Sequence, residues 1–294
     1  MSLYTLTIIQ KLLSSVFFFL SGLLWKKILK NQVNYHLIYY RTLFSILFLF
    51  IVTLILSYFD NDFSYGPLSK ADMMDWVITL SICFFSFFGL YYFTQALQKG
   101  RFTIVVPMSS LTGFFAVLSA FLFFKQTLSS TQILAFIVIF VGLVYHQYND
   151  LINLRISREL LLILMFTFFW GVSFSLYLIP IETFGPINFT LILEVCVLVS
   201  TLFLLFFKER RIFPKPTDKI TFYGCIAIGF CVAGGSMLSN IALAKVSVLV
   251  NVLIGLLFEG LVLIIGIKFF KDKIFFKDWI LIIAITIGCI LIMF

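Results

Sequence analysis

The sequence predicts an all-α membrane protein in which ten transmembrane helices form two inverted five-helix repeats. The first observation behind this prediction is composition: 62% of the 294 residues are hydrophobic and 12% are charged, whereas about 25% are charged in soluble domains. The second is a series of apolar segments, each long enough to cross a hydrocarbon core of about 30 Å. The third is a sequence pattern in the first half of the chain that recurs in the second half.

Ten apolar spans follow one another, and only short connections separate them. The predicted spans are 4–24, 37–59, 74–98, 103–124, 131–149, 160–179, 187–207, 220–243, 247–270 and 277–294. The longest polar connections, 60–75, 150–159 and 208–219, are too short to hold a soluble domain. Any chemistry must therefore lie within the membrane or at its edge, and the lipid bilayer is the first partner of the chain.

The repeat is visible when the chain is aligned with itself at a shift of 146 to 149 residues. This shift brings Ala96-Leu97 onto Ala242-Leu243, Phe123-Phe124-Lys125 onto Phe269-Phe270-Lys271, and Gly142 onto Gly288. Each copy contains five spans, an odd number, so the second copy must enter the membrane from the side opposite to the first. We therefore predict two domains, residues 1–149 and 150–294, related by a two-fold axis in the membrane plane.

The net charge of +8 reflects membrane topology and not a nucleic-acid partner. Sixteen of the 21 lysine and arginine residues lie in the connections after spans 1, 3, 5, 7 and 9. The positive-inside rule then places both chain termini outside the cytoplasm.

The five cysteines all lie inside apolar spans without a Cys-x-x-Cys pair, which indicates packing residues and neither disulfides nor metal ligands. The sequence predicts no cofactor and no metal.

The chain resembles the EamA-type transporters, ten-helix members of the drug/metabolite transporter superfamily, over essentially its whole length. The matching positions are Ala96-Leu97 before a turn, Pro107 within span 4, the Lys125–Gly142 segment with its second-copy partners through Gly288, and Trp170-Gly171 in span 6. Ser21-Gly22 and Asn251 depart from the family pattern. The resemblance implies a permease of the bacterial inner membrane that acts in efflux. It also implies cytoplasmic termini, contrary to the charge distribution, so the orientation of the chain stays open.

Three charged residues lie inside apolar spans, where each charge costs about 2.5–3.5 kcal/mol on insertion scales. Arg41 is near the start of span 2, Glu194 is in span 7 and Glu259 is in the middle of span 9. They could face a substrate or ion pathway, or they could form ion pairs that hold helices together. For Arg41 the sequence favours an ion pair or an interfacial anchor that holds helices together, because a side chain near a span end can reach the membrane interface. For Glu259 we hypothesise a proton-binding group, because protonation removes the penalty of burying a carboxylate; a fixed ion pair with Lys245 or Arg41 is the alternative.

Further polar and aromatic residues could line the pathway. Pro107 frees a backbone carbonyl in span 4 beside Ser109 and Ser110, and the repeat alignment places Asn251 opposite Pro107. The other candidates are Gln95, Asn240, Trp170 and Tyr91. For each of them ordinary helix packing is the alternative. Spans 5 and 10 carry almost no polar residues, so we expect them at the periphery and the cavity between spans 3, 4, 8 and 9.

The function that these features favour is secondary transport, with export of a small organic metabolite such as an amino acid or a related compound. Transport would proceed by alternating access around a cavity at the membrane midplane. Protons are a candidate coupling ion, and a homodimer is compatible with the sequence.

The alternative is an intramembrane lipid-modifying enzyme, which needs convergent acidic or histidine groups. The close aspartates Asp60, Asp62, Asp72 and Asp75 share a polar loop, so the sequence favours a protein that is not an enzyme. A passive channel would need a ring of like residues or a re-entrant filter, and the sequence shows neither.

Overall fold

The computed structural model describes residues 3–59, 64–100, 102, 105, 108–109, 111–125, 129–146, 148, 158–214, 218–248, 251–252, 255 and 275–292. Six helices in these ranges are long and apolar enough to cross a membrane, and three shorter apolar helices accompany them: Leu111–Phe124, Ile133–Gly142 and Trp279–Gly288. Every regular element within the described ranges is helical. The prediction of an all-α membrane protein is thereby confirmed.

The helices follow the predicted spans closely. They are α1 (Leu3–Ile28), α2 (Asn34–Phe59), α3 (Gly66–Lys70), α4 (Met73–Lys99), α5 (Leu111–Phe124), α6 (Ser130–His146), α7 (Arg158–Leu176), α8 (Leu178–Phe184), α9 (Pro186–Glu209), α10 (Lys219–Leu243) and α11 (Phe276–Ile292). The sixth span is longer than predicted, because α8 continues it after a single turn residue, Tyr177. The short helix α3 lies in the predicted polar connection 60–75, and most of the ninth span lies outside the described residues.

Local capping determines where several of these helices begin. The Asp72 side chain accepts a hydrogen bond from the Asp75 backbone, and the Asp75 side chain accepts one from the Asp72 backbone, so the two residues form a capping box at α4. Asp218 caps α10, and hydrogen bonds from the Thr221 side chain and backbone lower the pKa of its carboxyl. Gly185, with a φ of +81°, provides the turn between α8 and α9.

Helices of the first half pack against helices of the second half in a symmetric pattern. α1 packs against α10, and α4 packs against α7. In the numbering of the spans, these contacts are 1 with 8 and 3 with 6. The two contacts are equivalent, because span 1 corresponds to span 6 and span 3 to span 8. α2 packs against α9 and α6 packs against α11, which are spans 2 with 7 and 5 with 10. A two-fold axis between two five-helix repeats requires this pairing.

The helices carry their polar groups inward and their large apolar side chains outward, as a protein in lipid must. On α2 the outward residues include Leu47, Phe50 and Ile55, each about half exposed, whereas Thr42 and Ser45 are fully buried. Many buried hydroxyls donate to a carbonyl one turn earlier in their own helix; Thr42 to Ile38, Thr167 to Ile163, Ser173 to Phe169 and Thr201 to Val197 are examples. These hydroxyls are satisfied locally, so they need no partner on another helix.

Two glycines at equivalent repeat positions allow α6 and α11 to cross closely. A Cβ atom on Gly142 would lie 2.4 Å from the Cβ atom of Ala284, and one on Gly288 would lie 2.4 Å from Cγ1 of Ile139. Both distances are far shorter than a van der Waals contact. The two helices can therefore approach this closely only because both positions are glycine.

Replacing Gly142 with alanine should lower the thermal unfolding midpoint of the purified protein, because overpacking a tight contact costs about 1–3 kcal/mol. Gly234→Ala is the matched control, since its new Cβ atom would meet Phe17 at an ordinary 3.4 Å. The measurement is the fraction of protein that stays monodisperse in size-exclusion chromatography after heating in detergent. Equal midpoints for the two variants would contradict a tight α6–α11 contact.

Candidate functional site

A cavity of about 370 Å³ lies between the two repeats. Its described lining residues come from α1, α2, α4, α5, α7, α9 and α10 and from residues 102, 109, 177, 251, 252 and 255, and they represent predicted spans 1 to 4 and 6 to 9. α6 and α11 contribute no described lining residue, in agreement with their expected place at the periphery. The expectation that spans 3, 4, 8 and 9 alone form the cavity is wrong, because spans 1 and 6 pack against spans 8 and 3 and turn one side toward it.

Aromatic rings form much of the cavity wall. The aromatic lining residues are Phe18, Phe19, Trp25, Phe93, Phe102, Trp170, Phe174 and Tyr177. Trp170 packs against Phe93, with 4.8 Å between ring centroids, and it fits closely over Gly89, where a Cβ atom would lie 2.3 Å from the indole ring. The wall is therefore apolar and fixed in shape by packing between α4 and α7.

A buried ion pair joins the two repeats at the cavity. Arg41 Nη1 lies 2.5 Å from Glu194 Oε2, and each side chain is only 3% exposed. The two residues sit on α2 and α9, equivalent helices of the two repeats. Arg41 Nη1 also lies 3.4 Å from Ser45 Oγ, whereas its Nε is buried without a hydrogen-bond partner.

Of the two structural roles predicted for Arg41, the structure shows the ion pair that holds helices together and not the anchor at the membrane interface. The backbone carbonyl of Arg41 lies against α10, where a Cβ atom on Gly229 would come within 2.7 Å of the Arg41 oxygen. This close approach of α2 and α10 covers Arg41 on one side. The side chain turns toward Glu194, where an opposite charge offsets the cost of burying the guanidinium.

Lys11 is a cavity residue that sequence reasoning missed. Its side chain is buried, its Nζ donates to Ser239 Oγ at 3.0 Å, and it lies 5.3 Å from the centre of the Phe174 ring. The sequence contained a signal for this residue, because Lys11 lies inside an apolar span and not in a connection between spans. Ser86 and Tyr177 also line the cavity, and their hydroxyls form a hydrogen bond with each other.

Two asparagines from the second repeat contribute amides to the cavity. Asn240 Nδ2 donates to Thr190 Oγ1 at 2.9 Å, and Asn251 Nδ2 donates to the Ser239 carbonyl at 3.3 Å. Both side chains are almost fully buried. The Oδ1 atom of Asn251 is buried without a hydrogen-bond partner. It is therefore an acceptor that could receive a hydrogen bond from a bound molecule.

The structure brings together six of the candidates predicted from the sequence: Arg41, Ser109, Trp170, Glu194, Asn240 and Asn251 all line the cavity. Gln95 is only partly buried and is not a lining residue. Tyr91 lies elsewhere, at the end of α4, where its hydroxyl accepts a hydrogen bond from Lys208 at 2.7 Å. Pro107, Ser110 and Glu259 lie outside the described residues.

Hydrogen bonds close the bundle at the end where α1, α4 and α9 finish and α2, α7 and α10 begin, which we call the basic end. Lys26 Nζ donates to the carbonyls of Leu97 and Gly100, at 2.7 and 2.5 Å. Gln98 Nε2 donates to the carbonyls of Leu29 and Gln32, at 3.1 and 2.9 Å. These bonds tie the end of α1 to the end of α4.

A second group of contacts at the basic end joins the two repeats. Glu209 of α9 accepts a hydrogen bond from the Tyr35 hydroxyl at 2.9 Å and lies 2.7 Å from His36 Nε2. Lys208 lies over the rings of Tyr35 and Tyr91, 5.2 Å from each centre. Beneath these contacts the side chains of Trp25, Leu29, Leu97 and Phe102 are at most 1% exposed. Trp25 and Phe102 line the cavity, so packed side chains cover it on this side.

The described residues contain no group of three or more histidine, cysteine, aspartate or glutamate side chains that could hold a metal ion. Cys83, Cys196, Cys225 and Cys231 are free thiols on α4, α9 and α10. The charged groups of the described cavity lining are thus Lys11, Arg41 and Glu194, a set suited to binding and holding charge.

Comparison with known proteins shows where this architecture occurs. A family model described as the EamA-like transporter family matches the chain twice, over residues 5–146 and 157–294. A solved crystal structure, described only as that of a protein, is similar with a TM-score of 0.58 at 16% sequence identity, covering 95% of this chain and 96% of that one. At this identity the likeness is one of fold alone. A search of curated proteins gives no match.

Breaking the ion pair from one side should destabilise the protein strongly. Arg41→Met leaves Glu194 buried without its partner, which should cost about 3–5 kcal/mol, whereas the double variant Arg41→Met/Glu194→Leu should recover most of that loss. Thermal unfolding of the three purified variants in one detergent tests this. His36→Gln, which weakens a contact at the basic end, is the control and should cost less than Arg41→Met. A double variant that is no more stable than Arg41→Met would contradict a coupled pair.

Proposed function

Because the chain belongs to the EamA-like transporter family, we propose that it carries a small organic metabolite across the membrane by alternating access around the cavity. The observation that carries this proposal is a cavity enclosed by helices of both repeats, with buried charged groups on its wall. Secondary transporters built from inverted repeats place their substrate sites at this kind of interface. The chain is an integral, multi-pass membrane protein, and we propose the bacterial inner membrane as its location.

We propose an amino acid or a related compound as the substrate, because of the cavity lining, and export as the direction, because of the resemblance to efflux permeases. Oppositely charged groups, hydroxyls and amides line the cavity together with aromatic rings. A small molecule with a charged head group and an apolar body would find partners for both. Sites of this volume fall within the usual range for small-molecule binding, about 300–1,000 Å³.

An intramembrane enzyme is the less favoured alternative. Magnesium-dependent lipid chemistry needs carboxylates that converge on one point. Asp72 and Asp75, two of the close aspartates in the sequence, bond to each other's backbone as the capping box of α4. Helix capping accounts for this pair without any ligand.

Alternating access requires the basic end to open in a second state. In the structure this end is closed by the contacts of Tyr35, His36 and Lys208 with α4 and α9 and by the bonds between α1 and α4. These are hydrogen bonds and ring contacts near the end of the bundle, so relative movement of the two repeats could break them without unfolding a helix. A closed end in one state and an open end in another would prevent free leakage of the substrate.

We propose protons as the coupling ion. Glu259 is the candidate group on sequence grounds, since it lies in the middle of the apolar ninth span. A carboxyl that is hydrated differently in two access states binds a proton more tightly in the drier state. Proton binding and the conformational change would then be linked.

Cells that produce the protein should release at least one metabolite that control cells retain. Untargeted comparison of the two culture media by mass spectrometry identifies it. Arg41→Met/Glu194→Leu is the matched control, because it should stay folded while changing the charged groups of the cavity. No difference between the media would contradict the proposed export, whereas a difference that persists in the double variant would show that the ion pair takes no part in it.

Replacing Glu259 with glutamine should leave the protein folded but abolish accumulation of the metabolite driven by a pH gradient in proteoliposomes. Glu182→Gln, which removes an exposed carboxylate on α8, is the control and should transport as the unmodified protein does. Metabolite uptake is measured at several internal pH values. Normal folding of Glu259→Gln with unchanged pH dependence would show that Glu259 is not the coupling group.

A further inference from the structure

We propose that the charged head group of the substrate inserts into the Arg41–Glu194 ion pair, so that a carboxylate binds Arg41 and an ammonium binds Glu194. This inference rests on the proposed transport function and names the residues that would select a zwitterionic substrate. Arg41 and Glu194 are paired at 2.5 Å in the structure. In the bound state each would face an opposite charge of the substrate instead.

The hydrogen bonds of Arg41 leave room for such a ligand. A guanidinium carries five N–H donors and can bind a carboxylate through two parallel bonds. Arg41 contacts Glu194 through Nη1 alone and reaches Ser45 only at 3.4 Å through the same atom. Its Nε is buried and has no hydrogen-bond partner. The favoured two-bond arrangement with a carboxylate is therefore unfilled on a residue that lines the cavity.

A second unfilled polar atom lies on another wall of the same cavity. Asn251 Oδ1 is buried without a partner, although Asn251 Nδ2 is bonded to the Ser239 carbonyl. Because Oδ1 can only accept a hydrogen bond, it is suited to an ammonium or another N–H group. One donor and one acceptor without a partner among the described residues thus belong to side chains that line a single cavity, which is the polarity that a zwitterion matches.

Charge balance explains why the site would prefer a zwitterion to a simple carboxylate or a simple amine. Taking charges out of water is costly unless each finds an opposite partner. A zwitterion converts one ion pair into two and leaves the net charge of the site unchanged. A simple carboxylate on Arg41 would leave Glu194 unpaired until it took up a proton. A simple amine on Glu194 would leave Arg41 unpaired, and an arginine cannot release its proton.

Several other titratable groups lie near the Arg41–Glu194 pair. Tyr177, at the turn between α7 and α8, is within electrostatic reach of Glu194, and Cys225 on α10 is within reach of Arg41. Cys83 on α4 contacts Cys196, which lies on the same helix as Glu194. Lys11 on α1 lines the cavity and is bonded to Ser239. Among these groups, Glu194 is the carboxylate that loses its charged partner when a ligand binds Arg41.

The rest of the cavity wall suggests the body of the substrate. Trp170, Phe93 and Phe174 are lining residues with large apolar surfaces. An apolar or aromatic side chain would bury its surface against these rings at about 25 cal/mol per Å². The substrate class that fits both walls is an α-amino acid with a large apolar side chain.

A matched series of three probes tests the head group directly. L-phenylalanine, 3-phenylpropionate and 2-phenylethylamine share a phenyl ring, but only the first has both charges. Calorimetric titration of the full chain in lipid nanodiscs at pH 7, in two buffers of different ionisation enthalpy, gives the affinity and the number of protons taken up. We expect phenylalanine to bind about tenfold or more tighter than either analogue, without proton uptake. We expect 3-phenylpropionate to bind with uptake of about one proton.

Glu194→Gln provides the second test. Without the carboxylate, Arg41 is available to a simple acid, so 3-phenylpropionate should bind about tenfold tighter than to the unmodified protein, with no proton uptake, and the preference for phenylalanine should disappear. Glu182→Gln is the control and should leave all three affinities unchanged. If Glu194→Gln does not fold, the proposal is tested by the order of the three probe affinities and by the proton uptake measured with the unmodified protein.

Several results would overturn the proposal. These are equal affinities for the three probes, tightest binding of 2-phenylethylamine, proton uptake with phenylalanine, or no binding of any probe. The comparison of culture media tests transport itself without assuming a substrate. The comparison of media could therefore uphold transport while the titration with the three probes rejects insertion into the ion pair.

Discussion

The interior of this protein depends on the pairing of Arg41 with Glu194. Two unit charges 4 Å apart attract each other by about 4 kcal/mol at an effective dielectric constant of 20, and the attraction must offset the cost of removing both from water. Neither side chain of the pair is more than 3% exposed, so water cannot replace a missing partner. The contact also fixes α2 against α9, the helices that occupy equivalent places in the two repeats. A polar contact of this kind lets an otherwise apolar bundle hold one defined arrangement around a cavity.

The two-fold relation between the repeats explains why the cavity lies where it does. Spans 1 and 8 pack together, as do spans 3 and 6, while spans 5 and 10 cross at Gly142 and Gly288 away from the cavity. The inner helices therefore surround a space to which each repeat contributes equivalent elements. The sequences of the repeats differ, however, and the polar groups differ with them: an arginine in one faces a glutamate in the other. This asymmetry places two opposite charges side by side at the cavity.

Much of the fold could be predicted from the sequence, because the thickness of the bilayer sets the length of each apolar span. The boundaries of α2, α4, α9 and α10 lie close to the predicted ones, and the recurring Ala-Leu, Phe-Phe-Lys and Gly positions reveal the repeat. The cavity was harder to predict, because these helices are apolar on most sides and their periodicity does not show which face turns inward. Arg41 is covered by α10 through Gly229, a contact between distant residues that no local pattern reveals. Tyr177 was missed for the same reason. Lys11 was missed although a lysine inside an apolar span is a local signal, whereas Asn240 and Asn251 were found because an amide inside an apolar span is conspicuous.

The measurement that tests alternating access most directly is transport by protein whose basic end is locked. Gln32 and Asp218, which join the two repeats at this end with 3.3 Å between Gln32 Nε2 and Asp218 Oδ1, are replaced by cysteines in a background without other cysteines. A short, reducible thiol crosslinker then joins them, and proteoliposomes report exchange of the metabolite that the comparison of media identifies. The account predicts that crosslinking stops exchange, that reduction restores it, and that neither single-cysteine variant is affected by the reagent. Full exchange by the crosslinked protein would contradict it, because the basic end would not then need to open.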